Sequence, residues 1–142
     1  MSTERRLVAL CESAHLRTWI EAEIADVVAS RHYAPSVAGV LGALGRGGAS
    51  KCELLVLDLD LMSAPFVYEL HTGLEERWWG GRIIGLGSVR GVHRRYLEIE
   101  CAVPRPFGSE SLRTIVAGAE LQDADCVDTQ PLIAWPSQRG GS

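Results

Sequence analysis

One short segment constrains the fold of this chain more than any other. Residues 54–57 form the aliphatic run Leu-Leu-Val-Leu, which leads directly into Asp58 and Asp60. A continuous apolar run of this length is typical of a strand buried on both faces, as in parallel sheets. Acids just past such a strand lie at the carboxyl edge of the sheet, where open α/β folds bind their ligands. The segment therefore predicts an acidic site on an α/β fold.

Other short apolar segments alternate with helical patterns along the chain. We predict four further strands, at residues 7–10, 27–29, 82–86 and 101–103. Segments in which apolar residues recur at helical spacing lie between most of these strands, and the connections are short. This alternation implies a doubly wound parallel sheet with helices on both faces.

The predicted helix boundaries come from capping residues. Ser13 and Ser109 are candidate caps of the first and last helices, and Pro35 suits the first turn of the second. Residues 45–50 are glycine-rich and predict a flexible loop. Residues 89–99 leave room for about two helical turns at most, which predicts a shortened fourth helix.

The end of the chain differs in composition from the rest. We predict one domain over residues 1–121 and a tail or linker over residues 122–142. The tail is acidic at first, and then carries a small apolar island, Pro-Leu-Ile-Ala-Trp, at residues 131–135. Leu132, Ile133 and Trp135 are expected to dock on the domain or on a partner.

Composition gives no support to several classes of function. The net charge of −4 gives no electrostatic argument for a nucleic-acid partner. No stretch of about 18 uncharged apolar residues is present, so we expect no membrane span and a cytoplasmic protein. The four cysteines form no Cys-x-x-Cys pair, and the four histidines have no metal-ligand spacing, so the thiols are expected to be free and the histidines superficial or partly packed.

The order of elements and two motifs resemble the receiver domain of two-component response regulators, the CheY-like family. The motifs are the acids after strand 3 and the sequence Arg105-Pro106-Phe107 before the last helix, and the resemblance covers residues 5–121. It implies a flavodoxin-like sheet of five parallel strands in the order 2-1-3-4-5. It also implies a signalling domain without enzymatic activity or a resident cofactor.

The resemblance also assigns candidate roles at the carboxyl edge. Asp58 matches the aspartate that accepts a phosphoryl group, while Ser88 and Arg105 are candidates to contact that group. Glu12 and Asp58 would be weak ligands of Mg²⁺, with Asp60 at the position that supplies a backbone carbonyl. Mg²⁺ is expected only if this site is phosphorylated.

Three departures from the family pattern indicate a degenerate receiver, or pseudo-receiver. Cys11 replaces an acid, and a thiol is a poor ligand for Mg²⁺. Gly87 removes a hydroxyl at the end of strand 4, leaving Ser88 beside it. Arg105 replaces a lysine, and its planar fork is not equivalent to a compact ammonium. We therefore expect aspartyl phosphorylation to be impaired or absent.

Several alternatives remain open for the acids. Asp58 and Asp60 could instead only cap backbone amides, with help from the Ser63 hydroxyl. Glu12 could pair with Arg105 and fill the site without a metal. At the level of function, the alternatives are a conventional phosphorylation switch with Asp58 as acceptor, and a flavodoxin-like domain that binds a flavin or another small ligand.

The expected partner is another protein. Arg90, Arg94 and Arg95 cluster near the shortened helix, on the side that receivers use for output, and would suit an acidic surface. A histidine kinase or a downstream effector is the expected partner, and a homodimer is a further option. Trp78 and Trp79 are expected mainly to cover one end of the sheet.

Overall fold

A computed structural model describes residues 5–122, with side chains to residue 118. Its strands all run parallel, in the order β2-β1-β3-β4-β5. Their bounds are β1 Arg6–Leu10, β2 Ser30–Ala34, β3 Glu53–Asp58, β4 Arg82–Leu86 and β5 Ile99–Val103. The predicted architecture and strand order are therefore confirmed.

Helices connect the strands on both faces of the sheet. Their bounds are α1 Ala14–Ile24, α2 Val37–Ala43, α3 Ala64–Glu76, α4 Gly91–Tyr96 and α5 Ser111–Gln122. Two short 3₁₀ helices, Gly47–Ser50 and Leu59–Leu61, flank β3. The six residues of α4 span only about 9 Å, which confirms the prediction of a shortened fourth helix.

The central strand β3 separates two hydrophobic layers. Leu54 and Val56 pack with α1 and α5 on one face, whereas Leu55 and Leu57 pack with α2, α3 and α4 on the other. All four side chains are completely buried. Because both faces are covered, the strand needs apolar residues at every position, which explains the continuous run in the sequence.

The second strand was predicted at the wrong place. Residues 27–29 precede it, and Val28 packs into the layer beneath α1 and α5 from a loop. The strand itself is Ser30–Ala34, an edge strand whose Arg31 and His32 are exposed. An edge strand with a solvated face needs few apolar residues, so its pattern resembled a loop.

Two predicted helix starts also need correction. Pro35 lies before the second helix, which is capped by the Ser36 hydroxyl accepting from Gly39 N at 3.1 Å. The last helix begins at Ser111 rather than directly after Ser109. Ser13, in contrast, caps α1 as predicted, by accepting from Leu16 N.

The first turn of α5 is capped from another helix. The Glu23 carboxylate of α1 is largely buried, and its Oε2 accepts from Glu110 N at 2.9 Å. Its Oε1 accepts from Leu112 N at 3.0 Å and from Arg113 N at 3.1 Å. One side chain thus satisfies backbone donors that a helix start would otherwise leave without partners.

A buried polar cluster, here called the amino-edge cluster, lies where β3 begins. It centres on Glu53, whose carboxylate accepts from Arg6 Nη1 at 2.9 Å, Trp79 Nε1 at 2.7 Å and Gly45 N at 3.0 Å. The buried Ser50 hydroxyl beside it donates to Gly47 O and accepts from Gly80 N, both at 2.7 Å. The loop predicted to be flexible is therefore anchored at Ser50.

Part of the predicted tail lies beyond the described chain. Leu132, Ile133 and Trp135 lie outside the described residues, and α5 reaches Gln122, one residue past the predicted domain end. Over residues 5–122, none of the helices has the length and apolar character that a bilayer crossing requires.

Candidate functional site

The candidate site lies at the carboxyl edge of the sheet. Asp58 is the last residue of β3 and is only 6% exposed. The 3₁₀ helix Leu59–Leu61 follows immediately, and Asp60 N donates to Asp58 Oδ1 at 3.1 Å. This turn carries the exposed Asp60 side chain to the same edge, so the two predicted acids lie together.

Arg105 lies against both acids from the loop after β5. Its Nη2 is 2.9 Å from Asp60 Oδ2 and 3.6 Å from Asp58 Oδ1. Its guanidinium also stacks over the Phe107 ring, 4.6 Å from the centroid, and Phe107 in turn stacks on Trp19 at 4.9 Å. The ring supports the planar cation in its position beside the acids.

The structure bears on two alternatives for these residues, a pair between Glu12 and Arg105 and the capping of backbone amides by the acids. Arg105 pairs with Asp60 and Asp58 instead of Glu12, because the turn after β3 brings Asp60 to the guanidinium. Capping occurs in part, since Asp58 accepts from Asp60 N. Ser63 precedes α3 but makes no side-chain capping bond to it.

Burial controls the electrostatics of Asp58. Removal from water raises the pKa of its carboxyl group, and the charges of Asp60 and Glu12 raise it further. The hydrogen bond from Asp60 N and the nearby charge of Arg105 act in the opposite direction. The net upward shift means that Arg105 compensates only part of the cost of burying this carboxylate.

The end of β1 offers poor ligands for Mg²⁺. Burial raises the pKa of the Cys11 thiol, Arg17 opposes the shift, and the charge of Asp58 adds to it. A neutral, soft thiol therefore stands where a hard oxygen donor is needed. Glu12 is exposed beside it. Within residues 5–122, no three His, Cys, Asp or Glu side chains are grouped so that they could hold a metal ion. The donor set does not fit Mg²⁺ well.

Gly87 adopts a backbone conformation that favours glycine at the end of β4. Its φ is +110°, and its N–H donates to Val103 O at 2.8 Å. A Cβ at this position would find ordinary space, with Asp60 Oδ1 the nearest atom at 3.7 Å. Conformation, not crowding, therefore disfavours a serine here. The next residue, Ser88, is exposed.

The predicted partner arginines lie on or next to the short helix α4. Arg90 precedes its first turn, Arg94 and Arg95 belong to it, and all three side chains are exposed. The structure thus brings together a compact basic surface, which we call the α4 arginines.

His93, on the same helix, was missed by sequence reasoning. It was expected to be superficial or partly packed, but it is completely buried. Its Nδ1 accepts from Arg90 N at 3.0 Å, so its Nε2 carries the hydrogen and donates to Met62 O at 2.9 Å. Val89, His93 and Leu97 follow at i, i+4 and i+8, a helical spacing that could have indicated an inward position.

The two adjacent tryptophans have different environments. Trp79 joins the amino-edge cluster and covers that end of the sheet, as expected for the pair. Trp78 is 83% exposed and has a positive φ of 52°. The expectation therefore holds for Trp79 and is wrong for Trp78.

Three solved structures with a similar fold are described as response regulator or receiver domains. A response regulator from Colwellia psychrerythraea is 16% identical with a TM-score of 0.59, over 85% of this chain and 99% of that one. The signal receiver domain of a putative Luxo repressor protein from Vibrio parahaemolyticus is 18% identical with a TM-score of 0.66, over 91% and 98%. A CheY-like receiver domain protein from Methanospirillum hungatei JF-1 is 12% identical with a TM-score of 0.58, over 89% and 99%.

These likenesses establish the fold. No protein-family model matches the sequence, and no curated protein matches it. At such identities a shared fold does not assign roles to individual residues.

Proposed function

We propose that this chain, which has the receiver fold, is a signal-transduction domain that acts by binding another protein. In this proposal aspartyl phosphorylation is impaired or absent, and the domain has no enzymatic activity of its own. The observation that carries the proposal is the position of Arg105, which neutralises Asp60 and lies near Asp58. The guanidinium lies beside both acids, where it would compete with a metal ion for their carboxylate oxygens.

The other two departures support the same proposal. Cys11 removes a hard donor at the end of β1, and the positive φ of Gly87 disfavours a hydroxyl-bearing residue at the end of β4. Phosphoryl transfer depends on positioned charge and on a metal that neutralises the developing charge. A site that lacks these groups is better suited to hold one conformation than to switch between two.

A direct contact links the site to the proposed partner surface. Met62, at the end of the turn that follows Asp58, accepts the hydrogen bond from the buried His93. His93 lies in the short helix that carries Arg94 and Arg95. One buried hydrogen bond therefore joins the turn after Asp58 to the helix that carries the α4 arginines. A turn held in one conformation would hold these arginines in one position.

An acidic protein surface is the proposed ligand of the α4 arginines. Exposed guanidinium groups form charge-assisted bonds with carboxylates and attract acidic partners over long range. A histidine kinase or a downstream effector could present such a surface. A homodimer would instead need an acidic face of the same domain against these arginines.

A conventional phosphorylation switch is the second candidate. It is favoured by the exposure of the Arg105 side chain, which is 49% accessible and could swing away from the acids. Asp58 would then be the acceptor, with Glu12 as a metal ligand and Ser88 or Arg105 near the phosphoryl group. The alternative of a small-ligand or flavin site has less support, because the acids at the carboxyl edge would repel a phosphate group.

Incubation with acetyl phosphate or beryllofluoride in Mg²⁺ tests the proposal. We expect no gain of a phosphoryl group by mass spectrometry and no beryllofluoride-dependent change in the amide NMR spectrum. A gain that disappears in Asp58→Ala would overturn the proposal in favour of the switch.

A reconstructed variant makes a negative result informative. In Cys11→Asp/Arg105→Lys the hard donor and the compact ammonium return, and we expect measurable phosphoryl uptake at Asp58. Arg95→Lys is the matched control, because it makes the same arginine-to-lysine change outside the site. We expect this variant to take up no phosphoryl group.

A further inference from the structure

The short helix α4 leaves a groove on the face of the sheet that it shares with α3. Six helical residues cover about 9 Å, whereas the five residues of β5 extend about 16 Å. The start of β5 is therefore not covered along its length, and Ile99 is only half-buried. An open groove of about 960 Å³ lies there, which we call the β5 groove.

The β5 groove has an apolar floor and an acidic rim. Apolar and aromatic side chains line it, namely Leu74, Trp78, Ile83, Tyr96, Leu97 and Ile99. Glu75 and Glu98 are exposed at its edge, and Glu100, Arg82 and His71 also line it, so the three acids outnumber the one arginine. Its volume lies near the top of the range of roughly 300–1,000 Å³ that is usual for ligand pockets. The groove suits a short apolar peptide followed by a positive charge.

We propose that residues 131–135 of this chain occupy the β5 groove. This segment, Pro-Leu-Ile-Ala-Trp, is the apolar island of an otherwise polar tail, and Arg139 follows it with no acid in between. Leu132, Ile133 and Trp135 supply the apolar surface that a longer fourth helix would bring. Arg139 complements the acidic rim.

The course of the chain permits this arrangement. Each helix in a parallel α/β fold runs back to the edge where the strands begin, so α5 ends at the amino edge of the sheet. The groove lies at the same edge, since it includes the first residues of β4 and β5. The nine residues from Gln122 to Pro131 span up to about 30 Å when extended, enough to pass around the edge strand. The inference is independent of whether Asp58 is phosphorylated.

Fluorine NMR of the full chain labelled with 5-fluorotryptophan tests this proposal. The chain has four tryptophans, of which Trp78 and Trp79 line the groove. Trp19 stacks on Phe107 at the other edge and is an internal reference. We expect Trp135 to show a reduced H₂O/D₂O isotope shift, and Trp135→Ala to move the signals of Trp78 and Trp79 but not that of Trp19.

Two further variants define the contact. Leu132→Ser/Ile133→Ser should restore the full solvent isotope shift of Trp135, whereas the tail control Gln138→Ala should change nothing. From the groove side, Trp78→Ala should shift the Trp135 signal. A full solvent isotope shift for Trp135 in the unaltered chain, with Trp78 and Trp79 unmoved by Trp135→Ala, would overturn the proposal. Shifts that vanish on dilution would assign the groove to a second copy and also overturn it.

Discussion

The two ends of β3 carry two buried carboxylates whose hydrogen-bond partners differ in number and distance. Glu53, at the start, accepts from a guanidinium, an indole and a backbone N–H, with distances of 2.7–3.0 Å. Asp58, at the end, accepts from one backbone N–H at 3.1 Å, and its closest cation is 3.6 Å away. The two acids are separated by four aliphatic residues of the same strand.

This difference distinguishes a structural cluster from the candidate functional site. Buried charges are stable when their lone pairs are satisfied, as they are at Glu53. The Asp58 carboxylate has fewer hydrogen-bond donors than Glu53. Its pKa is raised because burial outweighs the lowering effects of the Asp60 N–H and the Arg105 charge. Such a carboxylate at the carboxyl edge is typical of a position kept for chemistry, or inherited from it.

Replacing Glu53 should have the largest effect. Glu53→Ala leaves the Trp79 and Gly45 N–H groups without this acceptor, while the partly exposed Arg6 retains Ala43 O, so we expect a loss of about 3–5 kcal/mol in the free energy of unfolding. Urea denaturation measures it. Glu98→Ala, an exposed acid before β5, is the control and should change stability by no more than about 0.5 kcal/mol. Equal losses in the two variants would show that the amino-edge cluster is not structural.

A pair of glycines sharpens the comparison. A Cβ at Gly81 would lie 2.4 Å from Trp79 Cζ2 and 2.5 Å from Glu53 O, so Gly81→Ala should cost about 2–3 kcal/mol. Gly87→Ala meets no close atom and strains only the backbone, at about 1–2 kcal/mol. Thermal unfolding ranks the two. The reverse order would contradict the tight packing assigned to the amino edge.

Removing Arg105 should change chemistry more than stability. The side chain is half-exposed, so Arg105→Ala should alter the free energy of unfolding by no more than about 1 kcal/mol. Its positive charge lowers the pKa of Asp58, and the variant should raise that pKa further. Carboxyl ¹³C NMR titration measures the shift, with Arg95→Ala as the control. An unchanged pKa of Asp58 would remove Arg105 from the site.

Replacing Asp58 should have the smallest effect, and its sign is diagnostic. Because the folded pKa of Asp58 is raised, the folded state binds the proton more tightly, and stability declines as pH rises from about 4 through the folded pKa. Asp58→Asn should remove this decline and slightly raise the melting temperature at pH 7.

An aspartate with the opposite shift serves as the control. Arg113 lowers the pKa of the exposed Asp26 by hydrogen bonding, so Asp26 contributes stability above its unfolded pKa and loses it in acid. Asp26→Asn should therefore lower the melting temperature at neutral pH. A lower melting temperature for Asp58→Asn as well would show that Asp58 is as well satisfied as Glu53.

Much of the fold could be predicted because buried strands and helical faces leave periodic patterns. The run at residues 54–57 fixed the central strand, and the short interval before β5 predicted the reduced α4. The edge strand Ser30–Ala34 escaped because its solvated face permits polar residues. The cap of α5 escaped because Glu23 is distant in sequence, and local patterns do not report such contacts.

The residues of the candidate site could be predicted from the sequence, but the ion pairs between them could not. Asp58 and Asp60 were identified from the end of a strand and Arg105 from the family resemblance, and the three lie together. The acid that pairs with the guanidinium is determined by the 3₁₀ turn after β3, and the sequence left a pair with Glu12 open as one further possibility. The buried His93 was missed, although its helical spacing with Val89 and Leu97 could have indicated an inward position.

The bonds from Glu23 to the start of α5 have a consequence for how the chain folds. Helices α1 and α5 are joined across 87 to 90 residues of sequence, so the start of α5 gains these capping bonds only after α1 is in place. Contacts between such distant segments form late and slow folding. In a nascent chain emerging from the ribosome, the Glu23 carboxylate of α1 would stay hydrated until α5 arrived.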